Sequence, residues 1–195
     1  LYNYLNYLIL CPMSSITSSL RFPNQLTSDL RKIYNGLISF PRLKFINSTF
    51  LPCRSPGECV RSLSANDIKS FFIDKKELVR LSAYINLNGN YQTKDVNEQM
   101  EIINSKEEID IKASICKNSI GLSRTATLIE NSTEIKTTLE RQKKDFNNIY
   151  KKRSFIQYYI NEGLEIAEFD DANMFLTNLI QDYEDISDID DEYYI

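Results

Sequence analysis

Residues 81–105, LSAYINLNGNYQTKDVNEQMEIINS, decide how the rest of the chain must be arranged. The run Leu81–Leu87 reads as a strand, Asn88-Gly89-Asn90 turns the chain, and residues 93–105 read as a helix with Thr93 capping its start and Val96, Met100 and Ile103 on one face. Two more strands follow, Ile109–Cys116 and Ser123–Ile129, joined by a loop containing Gly121. On the N-terminal side, residues 67–80 pattern as a helix carrying Ile68, Phe71, Phe72, Leu78 and Val79. Before that, residues 51–66, rich in Pro, Ser, Gly and Cys, read as a loop, and Arg42–Phe50 as a strand with Leu43, Phe45 and Phe50 facing inward. Strands alternating with helices indicate an α/β layer of modest size.

Two further regions flank this layer. Residues 1–20 read as a helix with Leu5, Leu8, Ile9, Met13, Ile16 and Leu20 near helical spacing. Pro12 sits inside it, lacks the amide that pairs with residue 8, and predicts a kink or break costing ~3 kcal/mol in an ordinary helix interior. A second helix is expected from about Gln25 to Ile38, bounded by Pro23 and Pro41. From Asn131 onward the chain reads as a helical hairpin: Asn131-Ser132-Thr133-Glu134 supply capping chemistry, Gly163 breaks the chain and Asp170 caps the second arm. Leu139, Phe146, Ile149 and Tyr150 mark the first arm; Ala172, Phe175, Leu176, Leu179 and Tyr183 recur along the second.

Composition narrows the chemistry. The chain has no histidine, which removes the usual general base, the Ser-His and Cys-His nucleophile pairs and the commonest zinc ligand. Cys11, Cys53, Cys59 and Cys116 show no CxxC spacing and read as reduced thiols of a cytosolic protein. No apolar run approaches the ~20 residues of a membrane helix. The net charge of -4 conceals a segregation: all 23 Lys and Arg precede residue 154, whereas residues 154–195 hold acids and no base. The basic cluster Arg141, Lys143, Lys144, Lys151, Lys152, Arg153 is interrupted by Glu140 and Asp145, which favours a self-complementary surface over a nucleic-acid site.

Several short motifs then line up in order: Leu20-Arg21-Phe22-Pro23, Asp29-Leu30-Arg31-Lys32, Phe40-Pro41-Arg42-Leu43, Val96-Asn97-Glu98-Gln99-Met100, Asn131-Ser132-Thr133, and Phe155-Ile156-Gln157-Tyr158-Tyr159 leading to Glu162-Gly163-Leu164 and Glu168-Phe169. In this order and register the chain resembles the C-terminal part of beta-tubulin. The resemblance implies an α/β fold, a two-layer mixed sheet with helices, plus a C-terminal helical hairpin and an acidic disordered tail. It divides the chain into the second half of a core helix (1–22), an intermediate domain (23–130), the hairpin (131–184) and the tail (185–195). It also implies a cytoplasmic, microtubule-forming structural subunit that pairs with alpha-tubulin and whose parent protein binds GTP.

The resemblance assigns roles residue by residue. Tyr2 and Asn6 match positions that hold the guanine base, one by stacking and one by hydrogen bonding; four apart on a helix, they share a face. Lys32 matches the lysine of beta-tubulin, where alpha-tubulin carries an acid that helps activate water against the next subunit's nucleotide. An ionised lysine neutralises phosphate charge but takes no proton from water. Gly36, Gly57, Gly89, Gly121 and Gly163 are all isolated, so no glycine-rich loop cradles phosphates, and this chain by itself is not expected to bind or hydrolyse GTP.

Other stretches depart from the family pattern. Residues 51–62, placed at the contact between protofilaments, are about one residue short, and Cys59-Val60 stands where an aromatic contact is usual. Segments are deleted after Arg80 and between Lys106 and Ile109, whereas the short connection from Cys116 to Arg124 fits beta-tubulin. Asp182–Ile195 carries seven acids and no base, a composition that predicts a solvated tail and, by resemblance, contact with motor and microtubule-associated proteins. A non-polymerising interaction module that docks on tubulin or its accessory proteins is the competing expectation.

Overall fold

The computed structural model describes residues 2–22, 29–52, 63–72, 78–107, 109, 111–116 and 123–193. The chain forms two compact units, Leu1–Lys76 with Arg80–Ser132, and Glu77–Val79 with Thr133–Ile195. The fold class read from the sequence, a mixed α/β sheet with helices, is the one observed.

The first unit is built on four strands, β1 (Ile46–Leu51), β2 (Arg80–Gly89), β3 (Lys112–Cys116) and β4 (Arg124–Ser132), in the order β1-β4-β2-β3. β4 runs antiparallel to both its neighbours, while β2 and β3 are parallel, joined by helix α4 (Thr93–Glu107). In the register Ile85↔Leu128 and Asn86↔Thr127, odd positions of β2 share a face with even positions of β4. Ala83, Ile85, Leu87, Ala126 and Leu128 thus line one face, where they pack with Val96, Met100 and Ile103 of α4 and with Ile68 and Phe71. Every residue of this cluster is buried, each Leu, Ile, Val, Met or Phe among them contributing ~1.5–3 kcal/mol.

The other face is polar. Tyr84, Asn86, Asn88, Ser114 and Thr127 point there, all buried, and helix α1 (Tyr2–Ile16) and the short helix α2 (Ser18–Arg21) lie against it. Asn86 Nδ2 donates to Ser15 O at 2.6 Å and to Ser18 Oγ at 2.9 Å. Asn88 Nδ2 and Thr127 Oγ1 both donate to Ser15 Oγ, at 2.6 and 2.5 Å. Ser114 Oγ donates to Asn86 Oδ1 at 3.2 Å and accepts from Tyr84 OH. Beside this seam, Ile33 and Leu37 of helix α3 (Leu30–Leu37) pack on Tyr84 and Ile129, with Ile16 of α1 against them. Asn131 Nδ2 closes the end of α3 by donating to Leu37 O and Leu43 O, at 3.2 and 2.7 Å.

In the second unit helix α5 (Ile135–Tyr150) and helix α7 (Ile166–Tyr193) run antiparallel, with α6 (Ile156–Asn161) between them. Tyr150 OH donates to Asp170 Oδ1 at 2.8 Å, and an equal span of residues further along each helix Lys136 Nζ meets Glu184 Oε1 at 2.8 Å. Gly163, at φ +94°, ends α6: its amide donates to Ile160 O and that of Leu164 to Tyr159 O, the paired bonds of a left-handed helix stop.

Several expectations need correction. The N-terminal helix passes through Pro12 and is interrupted instead at Thr17, whose Oγ1 donates to Met13 O; the tether at Ser15 holds the turn that follows the proline. The first strand spans Ile46–Leu51, and of its expected inward residues Leu43 is buried, Phe50 half-buried and Phe45 exposed. The helix read at 67–80 is a 3-10 helix at Ala65–Phe72; residues 73–77, most of 51–62, Pro23–Thr27 and Gly121 lie outside the described residues. The third strand begins at Lys112. Asn131 and Ser132 belong to β4 and cap nothing on α5, while Asp170 lies inside α7 and accepts from Tyr150. Ile149 and Phe175 are exposed. The acidic stretch expected to be a disordered tail continues α7 as helix to Tyr193, anchored by buried Leu179, Ile180 and Tyr183 and by Gln181 Nε2 donating to Asp185 Oδ1 four residues on.

Gly89 closes β2 at φ +119°, and a Cβ there would stand 2.3 Å from Ser123 O, so only glycine fits. Arg80 and Glu130 form a buried pair at 2.8 Å at the opposite end of β2, with the Arg80 guanidinium 5.0 Å from the Phe72 ring centroid. The Arg124 guanidinium stands 5.2 Å from the Tyr91 ring centroid, and burial pushes the pKa of the Tyr91 hydroxyl up to about 12, Arg124 lowering and Asp67 raising it.

Two outcomes follow for stability. Replacing Asn86 with Ala takes away the donor that ties Ser15 O and Ser18 Oγ to the sheet, leaving them only the bond to each other, and removes the acceptor of Ser114 Oγ. It is expected to cost about 1–3 kcal/mol, seen as a lower urea midpoint, and an unchanged midpoint would contradict the seam's role. Because unfolded tyrosine ionises near 10 while Tyr91 keeps its proton to about 12, its contribution is fully present below pH 10 and declines between those values. The difference in urea midpoint between the parent chain and Tyr91→Phe should therefore shrink over that window.

Candidate functional site

α1 leaves much of its apolar surface outward, although Leu8 is half-buried and Ile16 packs beside Tyr84 and Ile129. Ser15 is its buried residue, bonded to the sheet's polar face, whereas Leu5, Ile9, Leu10 and Met13 are exposed. The helical spacing of the apolar positions is real, but of the stripe Leu5, Ile9 and Met13 are exposed and Ile16 packs against the sheet. A seam of serine, asparagine and threonine takes the place that aliphatic contacts occupy on the other face.

Tyr2 and Asn6, the residues assigned to the guanine base, occupy the first two turns of α1, both exposed, Tyr2 at 80%. One turn apart, they share a side of the helix, so a ring stacked on Tyr2 would bring its edge towards Asn6. The phenol and the amide supply a flat apolar surface and a donor with an acceptor, the chemistry a planar heterocycle needs.

Lys32 comes from a different element. Asp29 caps α3, its Oδ1 accepting from Arg31 N at 3.0 Å, and Ile33 and Leu37 turn to the sheet. Lys32, in the first turn, is left exposed. A cation there suits an anion brought by another molecule.

Among the described residues no cluster of three or more Cys, Asp or Glu could hold a metal ion, and no helix is long and apolar enough to cross a membrane. Cys11 is half-buried and Cys116 buried, both as free thiols. Sequence reading missed Ser15, Asn86, Asn88 and Thr127, the residues that orient α1; the signal was Ser82, Tyr84, Asn86 and Asn88 at every second position of β2.

No family model matches the chain. Among curated proteins, a nucleomorph tubulin beta chain of Guillardia theta is 34% identical over 206 residues, 96% of this chain and 47% of that protein. The tubulin beta-3 chain of Zea mays is 32% identical over 209 residues, covering 97% and 47%. That of Oomycete-like sp. (strain MacKay2000) is 34% identical over 202 residues, covering 94% and 45%. The chain spans about half the length of the curated relatives it matches. Similar to them across nearly its whole extent, with the mixed α/β fold and helices expected of such a segment, it belongs to the beta-tubulin family as a divergent member.

Proposed function

We propose that the chain serves as a beta-tubulin-like structural subunit, or as a segment of one, that associates with alpha-tubulin in microtubules. In this reading Tyr2 and Asn6 hold the base of a guanine nucleotide whose phosphates are held by residues outside these 195, and Lys32 offers its charge to the nucleotide of an adjoining subunit. The observation that carries it is the outward face of α1, where Tyr2 and Asn6 stand beside exposed Leu5, Ile9 and Met13. Such a face combines apolar surface to be covered with two groups suited to a purine.

The fold is consistent with this division of roles. α1 is fixed by its serine side, so the side bearing the base-binding pair is free to receive a partner. α3 is fixed through Ile33 and Leu37, which leaves Lys32 free to meet charge from elsewhere. A lysine at that position stabilises a neighbour's phosphates without activating water, so the contact it makes is structural.

The test is co-expression with an alpha-tubulin followed by size-exclusion chromatography in GTP. A complex of one chain with one alpha-tubulin is expected, and Lys32→Glu, which sets a carboxylate against phosphate, should weaken co-sedimentation with assembled microtubules by about tenfold, ~1.4 kcal/mol. Separate elution at every concentration, or equal sedimentation of both variants, would refute this assignment. With the chain alone, fluorescent GTP should show no micromolar binding; a saturable micromolar isotherm abolished by Tyr2→Ala would overturn its dependence on other residues.

A further inference from the structure

In the second unit, helix α6 is flanked by charges of the wrong sign for its own stability. Lys151, Lys152 and Arg153 precede its start, and Glu162 and Glu165 follow its end. All are exposed and, among the described residues, none is in an ion pair. A helix is favoured by acids at its N-terminus and bases at its C-terminus, because its dipole is positive at the start and negative at the end. Here the order is reversed, so these charges do not serve α6 itself.

Between the two charged ends lies an aromatic surface. Ile156 is buried and fixes the inner side of α6, whereas Tyr158 and Tyr159 leave the helix towards solvent. Phe155, 68% exposed, stacks on Tyr158, 71% exposed, with centroids 6.4 Å apart, and holds its ring out from a left-handed backbone at φ 64°. Tyr159 meets Phe169 edge-on at 5.6 Å and is itself exposed. Asp170, which accepts from Tyr150, offsets part of the positive field of the basic turn but pairs with none of its three bases. The display therefore runs basic, aromatic, acidic along one short helix.

We infer that α6 pairs antiparallel with α6 of a second copy of this chain, about a two-fold axis through the middle of the helix. That order of charges is self-complementary only in this direction. Antiparallel alignment sets Lys151–Arg153 of one copy against Glu162 and Glu165 of the other, and the two-fold axis repeats the contact in reverse. It also opposes the two helix dipoles and lays Phe155 and Tyr158 of each copy over their counterparts, covering rings that one chain leaves in water. Parallel pairing would set base against base and acid against acid. The patch falls well short of the ~20–30 residues a side of a stable interface, so the contact is weak, with a dissociation constant on the order of 10–1,000 μM. It uses neither Tyr2, Asn6 nor Lys32, so it stands apart from the nucleotide reading.

Sedimentation equilibrium of the full chain tests this. A monomer-dimer equilibrium is expected at about 50 mM salt, weakened at least about tenfold at about 500 mM as screening grows. Lys151→Glu/Lys152→Glu faces acid with acid, and Glu162→Lys/Glu165→Lys faces base with base. Each variant alone should self-associate at least about tenfold more weakly, with an unchanged helical circular dichroism signal. Mixed together, the two should associate with each other to within about threefold of the parent, because every facing pair is again opposite in sign. Phe155→Ser/Tyr158→Ser should weaken association several-fold. A monomer at every concentration at low salt, association insensitive to salt and to both charge variants, or no recovery on mixing would overturn the assignment. So would loss of alpha-tubulin co-elution by either charge variant with self-association unchanged, which gives the surface to the heterodimer instead.

Discussion

Buried hydroxyls and amides must find partners, and in the first unit that requirement determines where the N-terminal helix lies. Ser15 accepts from Asn88 and Thr127, its carbonyl accepts from Asn86, and Ser18 takes the second Asn86 hydrogen. An apolar interface tolerates sliding by a few ångströms because dispersion is not directional; a hydrogen-bonded seam does not. α1 is consequently held in one rotation about its axis, with Ile9 and Met13 on the side away from the seam, while residues 2–6 at its start are exposed all round. The outward placement of Ile9 and Met13 thus follows from what the opposite side of the helix must satisfy.

The sheet makes this division of labour possible. Its two faces carry different kinds of cohesion, aliphatic packing on α4 and polar contacts under α1, set by the alternation of β2 and β4. Gly89 and the Arg80–Glu130 pair mark the two ends of β2, one where only a hydrogen side chain fits and one where two charges are buried together. A buried pair of this kind costs much to break and adds little net stability when intact.

Much of this was legible in residues 81–105, because strand, turn and helix each had a local signature that tertiary packing left intact. Val96, Met100 and Ile103 are buried where the pattern placed them. The stripe of α1 was legible as a helix but not in direction, since spacing defines a face and says nothing about what it meets. Asn131 was misleading for a related reason: asparagine before a helix reads as a cap, and here its amide instead reaches the end of a helix about ninety positions earlier in sequence. The acidic end of α7 was read from charge alone, while the deciding groups were Leu179, Ile180 and Tyr183 one turn upstream. Tyr2, Asn6 and Lys32 were identified through family likeness; local pattern would have left them as ordinary surface residues.

The backbone at Phe155 sets fold stability against surface chemistry. A non-glycine residue in the left-handed region costs of order 1–2 kcal/mol, and the ring it carries is spent on solvent rather than on the interior. Glycine would relax that corner and blank the aromatic display in the same stroke. The unit as folded keeps the less comfortable residue, and in doing so holds a hydrophobic marker at its rim where a purely structural turn would have none.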